Sequence, residues 1–162
     1  MTAVTRLRAP APQTPSKQRL RLWIRLLRTS RAIEADIRQR LRVDFDTTLP
    51  QFDVMAALAR KPDGMTMTEL SRQLMVSNGN VTGIIDRLVA DKLVGRRAPA
   101  DDRRAFIVRL TPKGLAQFDA MASKHETWID EALSELDPPE VNSMVRHLDG
   151  LATRIRNAGP RP

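Results

Sequence analysis

The chain contains no cysteine and no tyrosine, has only two histidines, and draws 4% of its 162 residues from the aromatics. Without a thiol there is no disulfide, no thiolate metal site and no cysteine nucleophile. His125 and His147 fall on different predicted helices with no acids at metal-ligand spacing, so no metal centre is expected. No apolar run approaches the roughly 18 residues of a membrane-spanning helix. The N-terminal stretch also lacks an apolar segment before a cleavage site, so no secretory signal is expected and the cytoplasm is the expected location. A glycine-rich phosphate loop and a serine elbow are both missing. Little remains from which to build an enzyme, and neither catalytic residues nor a cofactor is expected.

What the chain has in excess is positive charge. Its formal net charge is +8, which points to a polyanionic partner. The distribution is uneven: residues 1–42 carry eleven Lys/Arg against two acids and residues 60–114 eleven against six. Residues 43–59 and 115–162 are each net negative by three. A device for solubility alone would not need that asymmetry.

The second basic region contains two short helical patterns. Thr66 with Glu69 three residues on is a capping box that opens a helix near Met67, whose apolar face is Met67, Leu70 and Leu74. Ser77, Asn78 and Gly79 break that pattern, and Val81, Ile84, Ile85 and Leu88 start another. On the second helix Asn80, Thr82, Gly83, Asp86 and Arg87 lie off the core face, with Ser77 and Asn78 at its N-terminal end. Small and polar residues at that end suit a helix entering the major groove, because Asn pairs with adenine edges, Thr with polar edges or a thymine methyl, and Arg with guanine. Gly83 costs roughly 1 kcal/mol against Ala in mid-helix, and close approach to a backbone would explain it. Taken alone, two short helices and a turn fit any α-rich protein.

The next residues change the balance. Val94 leads into Gly-Arg-Arg, residues 98–102 make a polar turn, and Arg103 and Arg104 return into the β-rich run AFIVRL. The result is a hairpin with Arg96, Arg97, Arg103 and Arg104 on its arms, a charge suited to a minor groove or the flanking phosphates. Asp101 and Asp102, adjacent on the turn, are read as bracing the hairpin by charge-assisted hydrogen bonds rather than as a catalytic pair.

The rest reads as helical scaffold. Residues 1–16, with Pro10, Pro12 and Pro15, are expected to be a disordered basic arm. A long arginine-rich helix follows over 17–42, and Thr48 with Gln51 and Pro50 predicts another from about Leu49 to Arg60. Thr111 and Pro112 open a helix with the stripe Phe118, Met121, Ala122, His125, Ile129, Ala132 and Leu136. Pro138 and Pro139 close a link before the last stripe, Val141 to Ile155. The terminal stripes exceed what so small a central unit can cover, which implies a second subunit.

The run DDRRAFIVRLTPKG resembles the wing signature of the multiple-antibiotic-resistance regulators (MarR family), carried here by Asp102, Arg104, Leu110, Thr111 and Gly114. SNGNVTGIIDRLVADKLVGRR is similar to the family's recognition helix and wing start. The resemblance covers nearly the whole chain past residue 17; Asp101 departs from it by making the hairpin tip more acidic. It implies a mostly α fold with a small β-hairpin wing: a single domain over 17–162, with a winged helix-turn-helix at about 49–110 between dimerisation helices at about 17–42 and 112–157. It further implies a homodimer with recognition helices about 34 Å apart on a palindromic site, and an Arg104 side chain that reaches DNA. The absence of cysteine excludes the thiol switch that some members use. Family members often bind a small effector, commonly an aromatic carboxylate, between the dimer helices and the winged unit. Trp23, Phe52, Met55, Phe118 and His125 are the candidates to line that cleft, with Arg28 or Arg31 meeting the anion. The opening helix and SNGNVTG look more like members that govern breakdown of aromatic acids and sense them as coenzyme A thioesters.

The expected activity is that of a double-stranded-DNA-binding regulator, a repressor released by an anionic aromatic effector or acyl-coenzyme A. A sequence-indifferent architectural DNA binder is the alternative, since net charge alone would serve it. A basic membrane-surface protein is a third reading, for which only the first helix is a candidate and no membrane partner is expected.

Overall fold

Helix α2 (Leu49–Ala59) shows how local sequence signals set the frame. Thr48 and Gln51 satisfy each other's backbone amides in a capping box, and proline stands in the first turn, where no amide is needed. Phe52, Val54, Met55, Ala57 and Leu58 are buried along it, so α2 is covered nearly all round and forms the centre of the core. The computed structural model describes residues 14–97 and 106–159. Around α2 lie α1 (Pro15–Phe45), β1 (Met65–Thr66), α3 (Met67–Leu74), α4 (Asn78–Ala90), β2 (Val94–Arg97), β3 (Ile107–Leu110), α5 (Pro112–Leu133) and α6 (Pro138–Asn157).

The three strands form an antiparallel sheet in the order β1-β3-β2, with Met65 opposite Val108 and Val94 opposite Leu110. The sequence predicts the hairpin β2–β3 but not β1, which is too short for any alternation to show. Gly64 makes β1 possible. Its φ is +93°, and a Cβ there would lie 2.6 Å from Ile107 Cγ2 and 2.7 Å from the Val108 carbonyl, so only glycine turns the chain this close to β3.

Several boundaries differ from the sequence reading. Helix α1 begins at Pro15, capped by the Thr14 hydroxyl, and so takes in two residues assigned to the arm. Proline starts a helix well because its fixed φ suits the first turn. Residues 1–13 of that arm lie outside the described residues. Pro138 and Pro139 stand inside the first turn of α6 rather than in a link, with Asp137 and Glu140 as a third capping box. Leu136 falls past the end of α5 and Ala132 is exposed, while Trp128, absent from the predicted stripe, is buried. Its ring meets Phe45 edge-on at 6.3 Å, and Arg40 sits 5.9 Å above it while donating to Glu131 at 2.7 Å. These contacts fasten the C-terminal half of α1 to α5.

The N-terminal half of α1 has no such anchor among the described residues. Ile37 and Leu41 are buried, yet Leu20, Trp23, Ile24 and Leu26 are exposed, Trp23 to 58%. In α6 no residue is buried, and Met144, Val145, Leu148, Leu151 and Ile155 stand open to solvent. Isolated apolar residues on a surface are ordinary, but stripes this long mark a surface made to be covered. Among the described residues no helix is long and apolar enough to cross a membrane.

Candidate nucleic-acid interface

The site is assembled from α3, α4 and the wing. Glu69 accepts from the Thr66 amide at 2.8 Å and its own amide donates to the Thr66 hydroxyl at 3.2 Å, so the start of α3 is fixed by two reciprocal bonds. The hydrogen bond from the Thr66 amide, followed by that from its hydroxyl, holds the Glu69 carboxyl below its ordinary pKa. A folded pKa below the unfolded one means that this contribution to stability is present above the unfolded value and is lost as pH falls through the folded one. Glu69→Gln keeps an acceptor for the cap but cannot titrate. The thermal stability of the unmodified protein relative to Glu69→Gln is therefore expected to decline as pH is lowered through the acid carboxylate range; a constant difference would remove the capping explanation.

Helix α3 ends where Met75 enters the left-handed region at φ +54° and the Val76 amide donates to the Ser71 carbonyl at 3.1 Å. Ser77 then caps α4, accepting from the Asn80 amide at 3.4 Å. Two short helices are thereby set at a fixed angle by a three-residue turn. Val81, Ile85 and Leu88 pin α4 to the core. Ser77, Asn78, Asn80, Thr82, Gly83 and Arg87, the residues predicted to read DNA, are all exposed. The Thr82 hydroxyl donates to the Asn78 carbonyl at 2.9 Å. Arg87 donates to Asp91 at 3.3 Å from a largely exposed position.

A Cβ built on Gly83 or on Gly79 meets nothing within 4 Å. The two glycines are one turn apart, so the exposed side of α4 lacks a side chain at both positions. The sequence places Gly79 in the break before the second helix; the structure sets it inside the first turn of α4, four residues before Gly83.

The wing is held to this helix at its root. Arg96 donates to Asp86 of α4, and the Thr111 hydroxyl donates to the Lys92 carbonyl at 2.8 Å. The Lys113 ammonium donates to the Asp91 carbonyl at 3.0 Å. Arg96 is thus a brace between wing and helix, a role the sequence reading did not give it, whereas Arg97 is exposed with no such tie among the described contacts. Arg103 and Arg104, with the bracing pair Asp101 and Asp102, lie outside the described residues.

The predicted ligand residues separate into two groups. Phe52 and Met55 are buried, and the Phe52 ring stacks on His125 at 5.0 Å and lies 5.7 Å from that of Phe118. Trp23, Arg28 and Arg31 are exposed on the free half of α1. At 1.5 Å per residue, Trp23 lies about 21 Å along the axis from Ile37, where α1 joins the core. One chain therefore does not bring Trp23 to the Phe52 cluster.

Two polar-faced helices at a fixed angle, with a three-stranded wing braced against the second, define a winged helix-turn-helix protein. The MarR family matches over residues 45–105. The transcriptional repressor NicR of Pseudomonas putida is 35% identical over 134 residues, covering 83% of this chain and 84% of NicR. The transcriptional activatory protein BadR of Rhodopseudomonas palustris is 30% identical over 122 residues, 74% of this chain and 65% of BadR. Among solved structures, a point mutant of MarR from E. coli complexed with operator DNA superimposes with a TM-score of 0.73 at 23% identity, covering 86% of this chain and 99% of that one. The chain belongs to the MarR family and is a transcriptional regulator, not an enzyme.

Proposed function

We propose that this regulator binds a palindromic operator in double-stranded DNA as a homodimer and represses transcription until a small anionic aromatic effector, a free acid or its coenzyme A thioester, releases it. The observation that carries the reading is the exposed flank of α4. Asn78, Asn80, Thr82 and Arg87 are exposed and offer base-edge chemistry, and Gly79 and Gly83 admit a close backbone. Arg97, Arg103 and Arg104 on the wing would meet phosphates or the minor groove, with Asp101 and Asp102 bracing its tip. The operator complex of the E. coli relative supports the partner.

The homodimer is supported by the uncovered stripes of α1 and α6, which a twofold partner would cover at both ends of the chain. Dimerisation is also what would join the two groups of ligand residues, by setting Trp23, Arg28 and Arg31 of one subunit beside the Phe52, Phe118 and His125 cluster of the other. An anion held there works against phosphate binding and biases the spacing of the two α4 helices.

The test is a mobility shift on the DNA upstream of the gene, titrated with aromatic acids and their coenzyme A thioesters. One of them should weaken binding by about 5- to 150-fold, the usual range of such coupling; unchanged affinity across the series would sink the effector reading. NicR, a transcriptional repressor, supports repression, and BadR, a transcriptional activatory protein, favours the opposite sign. Deleting the gene should raise transcription of its targets, and a fall would select activation.

A further inference from the structure

A pocket of about 560 Å³ lies where the C-terminal end of α2, the root of the wing and the first turn of α5 converge. That volume is within the range of small-molecule sites. Its walls are apolar, with Leu58, Pro62, Leu110 and Leu115 among them, and among the described residues Arg109 is the only charged one that lines it. It shares no residue with the Phe52 and His125 cluster and none with the exposed flank of α4.

Gly95 forms part of the pocket wall. This glycine stands inside β2 directly opposite Arg109, in a ladder that runs without interruption from Val94–Leu110 to Arg97–Ile107. Glycine in a strand normally marks a bulge or the close approach of another backbone. The continuous register excludes the first. For the second, a Cβ built on Gly95 meets nothing nearer than the Thr111 methyl at 3.9 Å, an ordinary contact. No packing among the described residues therefore requires glycine here, and what its missing side chain leaves is room. Leu115, 46% exposed, stands beside that room.

We propose that this pocket is a ligand site of its own, for a small apolar monocarboxylate. The hydrocarbon part lies against Leu58, Pro62, Leu110 and Leu115, and the carboxylate meets the Arg109 guanidinium. Because the pocket touches α2, the wing and α5 at once, a bound acid fixes the pitch of the wing relative to the core. The consequence for DNA rests on the DNA-binding reading above; occupancy of the pocket does not.

Phenylacetate and its neutral isostere phenylacetamide distinguish the site. In amide-detected NMR titrations of the full chain, phenylacetate should shift Gly95, Arg109 and Leu115, and phenylacetamide should bind about tenfold more weakly, as loss of a charge-assisted hydrogen bond predicts. Arg109→Gln, at an exposed position, should make acid and amide equal. Gly95→Val, which adds a branched side chain to the wall opposite Arg109, should weaken both sets of shifts while leaving the protein folded, as circular dichroism checks. Equal binding of acid and amide by the unmodified protein, shifts unchanged by Gly95→Val, or shifts confined to the surroundings of His125 would each overturn the proposal. Shifts at Gly95 and Arg109 in a protein that binds no DNA would uphold the pocket and overturn the DNA-binding reading instead.

Discussion

Gly114→Ala is expected to destabilise the fold by about 3 kcal/mol or more, a fall in thermal midpoint of at least roughly 6–12 °C for a chain of this size. A Cβ at this position would lie 1.9 Å from the Leu93 carbonyl oxygen, 2.8 Å from its carbon and 3.1 Å from the Leu93 Cα. These are backbone atoms, so no side-chain rotation relieves the overlap. The carbonyl is also held in place, because it accepts from the Thr111 amide at 2.9 Å and from the Thr111 hydroxyl at 3.3 Å. Either the first turn of α5 or the root of β2 must move, and both carry buried residues. Gly83→Ala is the control. It faces open space, so the fold should gain up to about 1 kcal/mol of helix propensity while DNA affinity falls. Equal midpoints for Gly114→Ala and the unmodified protein would contradict the packing described at the wing root.

Leu148→Glu combined with Leu151→Glu is expected to yield a monomer and to lower operator affinity by about 100-fold or more. Both side chains are exposed on α6, and among the described residues α6 makes no extensive contact with another element of the chain. The substitutions should therefore leave the central fold intact, which circular dichroism checks. Across a twofold interface, however, each sets two carboxylates into an apolar stripe, a cost of several kcal/mol. Losing the dimer halves the contacts that one binding event makes with a palindrome, and with them the effective concentration of the second α4. Sedimentation should give the mass of a single chain at micromolar concentration. A dimer of undiminished affinity would show that the α6 stripe is not the interface.

Much of this molecule was legible in its sequence because its helices carry their own boundary markers. The capping boxes at Thr48 and Thr66 and the Thr111–Pro112 start place the first residues of three helices to within a residue. The hairpin was legible because β-rich residues flank a turn rich in Asp, Pro and Arg. What escaped was set by tertiary contact. Strand β1 is two residues long and exists through Gly64 and its pairing with β3, which no local pattern announces. Trp128 was missed because its burial depends on Phe45 and Arg40, more than 80 residues away in the chain. The exposed residues of α4 followed directly from helical period, since subtracting the core face leaves the outer one. The Asp86–Arg96 brace did not, because charge on two different elements reveals nothing about their proximity until the elements are packed.

The most direct measurement of the central reading is a competition, by fluorescence anisotropy at fixed salt, between a fragment of the DNA upstream of the gene and random duplex of equal length. A regulator reading bases through α4 should prefer its own site by about 10³-fold or more, and Asn80→Ala should erode that preference more than it weakens binding to random duplex. Equal affinity for the two duplexes, with Asn80→Ala without effect on either, would contradict sequence-specific recognition and leave a binder held by charge alone.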